Sequence, residues 1–280
     1  MPRNNPSRLS QSTSPVAAAA GPQNSGVGLI VPTEFVQLPS KGILYPEGHS
    51  LHNKEEIEIK FMTAREEDIL SSEPLIKKGV VLDRLIRNLI VDEAIDPSNL
   101  LVADRSAILV AARSSGYGEV YEFSISCPSC EIRNEAYFNL EERIDIAFNS
   151  NDLDVAITEN GTCITKLPKT KAEVEFRLIN GYDEKAMTQP SKNKLQVSST
   201  ITDQLKRLVI SVNGERDVIQ LNSFIDILPA YDSRYLRNLV ADIAPDTKML
   251  FDFECESCEH QSALEVPITL SFFWPDVRLY

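Results

Sequence analysis

Two C-x-x-C pairs constrain this chain more than any other feature. They are Cys127-Pro128-Ser129-Cys130 and Cys255-Glu256-Ser257-Cys258, 128 residues apart, and each is followed by glutamate. One such pair can supply half of a metal site, exchange disulfides, or be two packed thiols. Two pairs can supply four thiolates to a single tetrahedral ion, provided the fold brings both turns together. A chain that does so must pair distant segments.

The sequence around the cysteines repeats itself in order. EIEIKFMTAREE (56–67) aligns without gaps on EVEFRLINGYDE (173–184), LDRLIRNLIV (82–91) on TDQLKRLVIS (202–211), and residues 104–131 on 232–259. The offsets are 117, 120 and 128, rising as two diverged copies with small insertions in the second require. In the first match Ile57, Ile59 and Phe61 alternate with charged residues, as do Val174, Phe176 and Leu178, the pattern of a half-buried strand. Thr63 with Glu66, and Asn180 with Asp183, then read as helix starts of the capping-box kind. Leu82, Leu85, Ile86 and Leu89 have helical spacing. Asp104 and Asp232 are expected to cap a further helix, which stops near Gly116 and at Ala244-Pro245.

The expected fold is therefore α+β. It consists of two diverged strand-helix-helix-strand-knuckle-strand repeats joined through a zinc-ribbon-like site of Cys127, Cys130, Cys255 and Cys258. The expected organisation is a disordered arm at 1–29 and a first repeat at 30–140. An acidic linker or edge segment at 141–171, a second repeat at 172–268 and an aromatic tail at 269–280 follow. The tail, SFFWPDVRLY, offers Phe272, Phe273 and Trp274 either to the chain's own core or as an anchor to a partner, since buried aromatics dominate binding hot spots.

The function classes narrow by chemistry. A formal net charge of −13 opposes general nucleic-acid binding, which needs cations to displace counterions from phosphates. No apolar run approaches a membrane span, and the N-terminus has no basic segment leading into an apolar one, so a cytoplasmic protein with reduced thiols is expected. Phosphate-binding loops, dinucleotide glycine patterns, G-x-S-x-G and H-E-x-x-H are all missing, and no enzymatic activity is expected. His49 and His52 lie among turn residues and read as loop histidines, and Cys163 as a small strand residue.

For the paired cysteines a structural Zn(II), one per chain if the two knuckles pair, is preferred to redox exchange. A redox C-x-x-C opens a helix, whereas EIRNEAYFNL follows the first pair and reads as a strand. One feature runs the other way: zinc knuckles often carry glycine after the second cysteine, and this chain has Glu131 and Glu259. A zinc-ribbon regulator or nucleic-acid-binding module is the alternative reading, and a thiol oxidoreductase a third.

VPTEFVQLPSKGILYPEGHSLHNKEEIEIKFMTAREEDIL, KKGVVLDRLIRNLI, the CPSC and CESC pairs, DSRYLR and the closing FFWPD together resemble the baseplate hub family of contractile-tailed, T-even-type bacteriophages, over roughly residues 30–278. The resemblance implies a non-enzymatic hub subunit or hub assembly protein whose partners are other baseplate and tail proteins. It would work in the host cytoplasm during assembly and in the virion tail if retained. It also implies paired C-x-x-C positions, matching the four cysteines above. No small-molecule substrate is indicated.

Overall fold

In the first half, two antiparallel strands, β1 (Thr33–Gln37) and β2 (Glu56–Lys60), pair with Phe35 opposite Glu58 and Val36 opposite Ile57. The computed structural model describes residues 31–149, 153–188, 201–266, 268 and 270–273; the expected arm at 1–29, part of the linker and Trp274 fall outside these. Ile57 and Ile59 turn into the core while Glu56 and Glu58, which alternate with them, face outward.

After β2 the backbone turns into α1 (Ala64–Leu70). Thr63 accepts the Arg65 N–H, and the Glu66 carboxylate accepts the Thr63 N–H at 2.9 Å, which is the expected capping box. Two helices follow, α2 (Glu73–Lys77) and α3 (Val81–Leu89); α3 buries Val81, Leu85, Ile86 and Leu89 along one stripe. The next helix, α4 (Val102–Tyr117), is buried almost all round, from Ala103 to Arg113, so it is the central helix of the fold. It ends at Gly118 with φ of 87°, and the chain enters the hairpin β3 (Val120–Ser126) and β4 (Arg133–Asn139).

The acidic stretch after β4 contributes two short strands. The first is β5 (Ile144–Ile146). The second, β6 (Ala156–Ile157), edges an antiparallel sheet ordered β6-β7-β8-β9, with β7 at Cys163–Lys166, β8 at Glu173–Phe176 and β9 at Val209–Val212. Helices α5 (Gly181–Thr188) and α6 (Ile201–Leu208) lie between β8 and β9 in sequence, and α7 (Val218–Asp226) and α8 (Ala230–Ile243) follow β9. Strand β10 (Asp246–Lys248) returns to pair with β5, and a second hairpin, β11 (Leu250–Glu254) and β12 (Gln261–Glu265), completes the sheet elements among the described residues. The start of α5 has the expected reciprocal cap: the Asn180 N–H donates to Asp183, and the Asp183 N–H to the Asn180 side chain.

The structure corrects the role of Asp104 and Asp232. Neither caps its helix: α4 starts two residues earlier, with Leu101 as its cap, and α8 starts after Pro229. Both carboxylates are fully buried and reach across to a turn behind a strand. Asp104 accepts the Ser40 N–H at 3.0 Å, the Ser40 hydroxyl at 2.6 Å and the Tyr45 hydroxyl at 2.7 Å. Asp232 accepts the N–H groups of Lys169 and Thr170, each at 2.8 Å. The turns they hold are Leu38-Pro39-Ser40-Lys41 after β1 and Leu167-Pro168-Lys169-Thr170 after β7. An ion can be buried this way only because hydrogen bonds replace its lost water.

The halves meet along one continuous core. Backbone bonds cross between them, with the Val102 N–H donating to the Ile179 carbonyl and the Gly181 N–H to the Leu100 carbonyl. Beside this seam Arg105 pairs with Asp83 at 2.8 Å and Glu184 at 3.3 Å, and Lys185 also reaches Asp83. A β-carbon on Gly181 would lie 2.7 Å from the Arg105 guanidinium and 3.1 Å from the Ser98 carbonyl, so any larger residue here must displace Arg105 from its ion pairs.

Burial works against the Asp232 carboxylate, but the N–H donors of Thr170 and Lys169 outweigh it and hold the carboxyl below its ordinary value. Its stabilisation is therefore complete at neutral pH and is lost as the pH falls through that depressed value. Asp232→Asn is expected to cost about 2 kcal/mol at pH 7, because an amide can accept only one of the two N–H bonds well and carries no charge. Urea unfolding across pH should show the gap from the parent protein narrowing toward pH 3.

Candidate metal centre

Both C-x-x-C turns sit at hairpin tips and close in the same way. The Cys127 N–H donates to the Ile132 carbonyl and the Glu131 N–H to the Cys127 carbonyl, both at 2.9 Å. In the second hairpin Cys255 donates to His260 at 3.0 Å and Glu259 to Cys255 at 2.9 Å. To close the turn, the residue after the second cysteine takes a left-handed backbone: φ is 61° at Glu131 and 57° at Glu259. Glycine is the residue that reaches this region without strain, and here glutamate occupies it in both copies.

The hairpins pack with their tips together. Phe123 meets Phe251 edge-on at 5.3 Å, and Phe253 lies against Cys127 and Cys255 with Ile125 and Leu264 around them. The four sulfurs of Cys127, Cys130, Cys255 and Cys258 all lie within 4.8 Å of one another. The closest cross-hairpin pairs are Cys127–Cys258 at 3.7 Å and Cys130–Cys255 at 3.6 Å. A disulfide needs about 2.05 Å, so these are not bonded pairs. Four thiolates about 2.3 Å from a common ion in tetrahedral geometry stand about 3.8 Å apart, and the shortest distances here fit that edge.

The inner cysteine of each pair, Cys127 or Cys255, is buried to 1% exposure, while Cys130 is half-buried and Cys258 faces solvent. The four sulfurs are unequal electrostatically. At Cys255 burial opposes ionisation, but the N–H groups of Ser257 and Cys258 and the thiols of Cys130 and Cys258 outweigh it and bring it down to about 6. At Cys130 the Ile132 N–H favours the thiolate, yet burial and the neighbouring sulfurs push it up to about 12. Cys255 is thus readily ionised near neutral pH, and Cys130 resists ionisation beside it.

Sequence reasoning missed Asn134. This buried β4 residue accepts the Glu256 N–H at 3.0 Å and donates to the Ile132 carbonyl of its own knuckle at 2.8 Å, with the Cys255 sulfur 3.6 Å away. It ties the two knuckles together outside the sulfur shell, as supporting residues of metal sites do. Nothing in a polar strand residue marks that role before the hairpins meet.

The other residues singled out in the sequence lie elsewhere. His49 stacks on Tyr45 at 4.6 Å, and the His52 ring approaches the Tyr45 carbonyl, both in a turn region. Cys163 is fully buried in β7, where burial pushes its thiol up to about 11 and makes it a poor nucleophile. Phe272 and Phe273 are fully buried in a short turn, Leu270–Phe273. Phe272 meets Tyr121 edge-on at 4.8 Å, and its carbonyl accepts from Arg113 at 2.9 Å. Trp274 lies outside the described residues.

Residues 36–274 match the family described as T4 bacteriophage base plate protein. No curated protein and no solved structure is significantly similar to the chain.

The left-handed glutamates generate a test of the turn geometry. Glu131→Gly and Glu259→Gly are each expected to raise stability by about 0.5–1 kcal/mol, because strain of roughly 1–2 kcal/mol is partly offset by the greater freedom of unfolded glycine. Glu131→Val should lower it. Thermal melts of the three variants read this directly.

Proposed function

The chain belongs to the T4 bacteriophage base plate protein family, and from that premise we propose that it is a non-enzymatic scaffold of the baseplate hub, either a hub subunit or a factor that assembles the hub, braced by one structural Zn(II). The observation that carries the metal is the convergence of four sulfurs from hairpins 128 residues apart. Soft thiolate donors at tetrahedral spacing favour zinc over magnesium or calcium, which take oxygen ligands. A site with all four positions filled by protein has none open for substrate, which makes its role structural. The binding free energy of such a site, about 10 kcal/mol or more at neutral pH, would then hold the two halves together.

The two halves are proposed to be diverged copies of one unit. Strand, Leu-Pro turn, strand and capped helix recur in order, as do the helix bearing Asp104 or Asp232 and the knuckle hairpin. The antiparallel bridge Ile59–Ile90 in the first half falls one residue from the Phe176–Val209 pairing in the second, where β8 and β9 shift register, since the alignment sets Ile90 on Ile210. A body braced in this way presents fixed surfaces. Its partners are proposed to be other baseplate and tail proteins, met in the host cytoplasm and, for a retained subunit, in the virion tail.

Metal analysis of purified protein is expected to find about one zinc per chain. Cys127→Ser and Cys255→Ser should each lose it and melt at lower temperature; unchanged metal content and melting in both would overturn the site. Quantitative mass spectrometry of purified virions separates the two scaffold roles. A fixed ratio to hub proteins identifies a subunit, and abundance in infected cells with none in particles identifies an assembly factor.

A further inference from the structure

The outer face of β1 and β2 differs from its counterpart in the second half in one informative respect. In β8 the Glu175 carboxylate is almost fully buried and saturated. It accepts the Thr162 hydroxyl at 2.7 Å, the Ser211 hydroxyl at 3.0 Å and the Arg216 guanidinium at 2.8 Å. The gap-free match of 56–67 on 173–184 places Glu58 at this position. Strand register agrees independently, since Glu175 stands opposite Ile164 in β7 and Glu58 opposite Phe35 in β1. Ile164 and Phe35 are also equidistant from the Leu-Pro turns that end their strands.

Glu58 has no such company. Among the described residues no hydrogen-bond donor or cation reaches its carboxylate. The loop that carries Arg216 in the second half is Asp92-Glu93-Ala94-Ile95-Asp96 in the first, without a cation. Around Glu58 lies an open cleft of about 630 Å³. One wall is Phe35, 62% exposed, and Val91 and Ile95 line the other side. The rim holds Glu55, Glu56 and Asp92 against the one cation Lys54.

We infer that this cleft is a docking site for an arginine side chain, flanked by apolar residues, on a partner protein. The guanidinium would pair with Glu58 as Arg216 pairs with Glu175, and its plane would lie on the Phe35 ring. Arginine suits both contacts, because its planar fork bonds a carboxylate and stacks on an aromatic face. The acidic rim would draw in a basic segment and reject an acidic one. A large aromatic left this open on a strand facing water is the kind of residue that interfaces use.

The comparison of the halves rests on the repeat reading above, and the test separates the two. The probe is the peptide acetyl-Val-Arg-Val-amide, titrated into the full zinc-loaded chain and followed by backbone amide NMR. Saturable shifts are expected at Phe35, Glu58 and Val91. Replacing arginine by citrulline, which keeps the shape and removes the charge, should weaken binding at least tenfold, and Glu58→Gln should do the same without changing the melting temperature. Equal binding of the citrulline peptide, shifts confined to other regions, or affinity unchanged in Glu58→Gln would overturn the site. Arg216→Ala tests the correspondence: it should open a second site at Glu175 for the same peptide. If the first site behaves as expected and no second appears, the equivalence of the halves fails while the cleft stands.

Discussion

The meeting of the two hairpin tips is the constraint on which the rest of this fold depends. Four sulfurs within 4.8 Å require β3–β4 and β11–β12 to pack face to face, and the edge-on contact of Phe123 with Phe251 is the apolar half of that packing. The first hairpin leaves directly from the end of α4 and the second follows α8 by way of β10, so α4 and α8 must also be placed correctly. Their placement is held by Asp104 and Asp232, buried carboxylates that each clamp a turn from an earlier strand. Polar bonds inside the core thus set the geometry, and the apolar contacts fill it. Such bonds are directional and costly to break, which makes them suited to specifying one arrangement.

The same logic explains how the halves hold together away from the four cysteines. Arg105 is buried at the seam with Asp83 and Glu184, and Gly181 gives it room. Arg113 is a second buried cation in α4, held not by a carboxylate but by the carbonyls of Phe272, Gly118 and Val120. It ties the helix end, the first hairpin and the closing turn to one point. Burial lowers its readiness to carry charge, so these carbonyls do the work that water would otherwise do.

The two halves of the chain differ in a physical pattern. Glu175 is closed over by Arg216, whereas Glu58 is left facing a cleft. β7 has β6 along one edge, whereas β1 has only β2 beside it among the described strands. The second half is the more self-contained, and the first has the more open outer face.

Much of the local structure was legible in the sequence. Alternation marked β2 and β8, the residues after them marked both helix starts, and the paired cysteines marked a four-sulfur site, because each signal is carried by residues a few positions apart. The destination of Asp104 and Asp232, the brace at Asn134 and the company of Glu175 were not legible. Each depends on a partner tens of residues away, and a carboxylate or amide in a list of residues does not reveal which distant N–H it will meet. The sequence by itself determined the strands β2 and β8, the two capped helix starts and which thiols belong together, but not the strands β5 to β7 within the expected linker or β9 within an expected helix. Only the tertiary structure decided which buried charges are satisfied from within the chain and which are left to face outward, since that depends on what packing brings within about 3 Å.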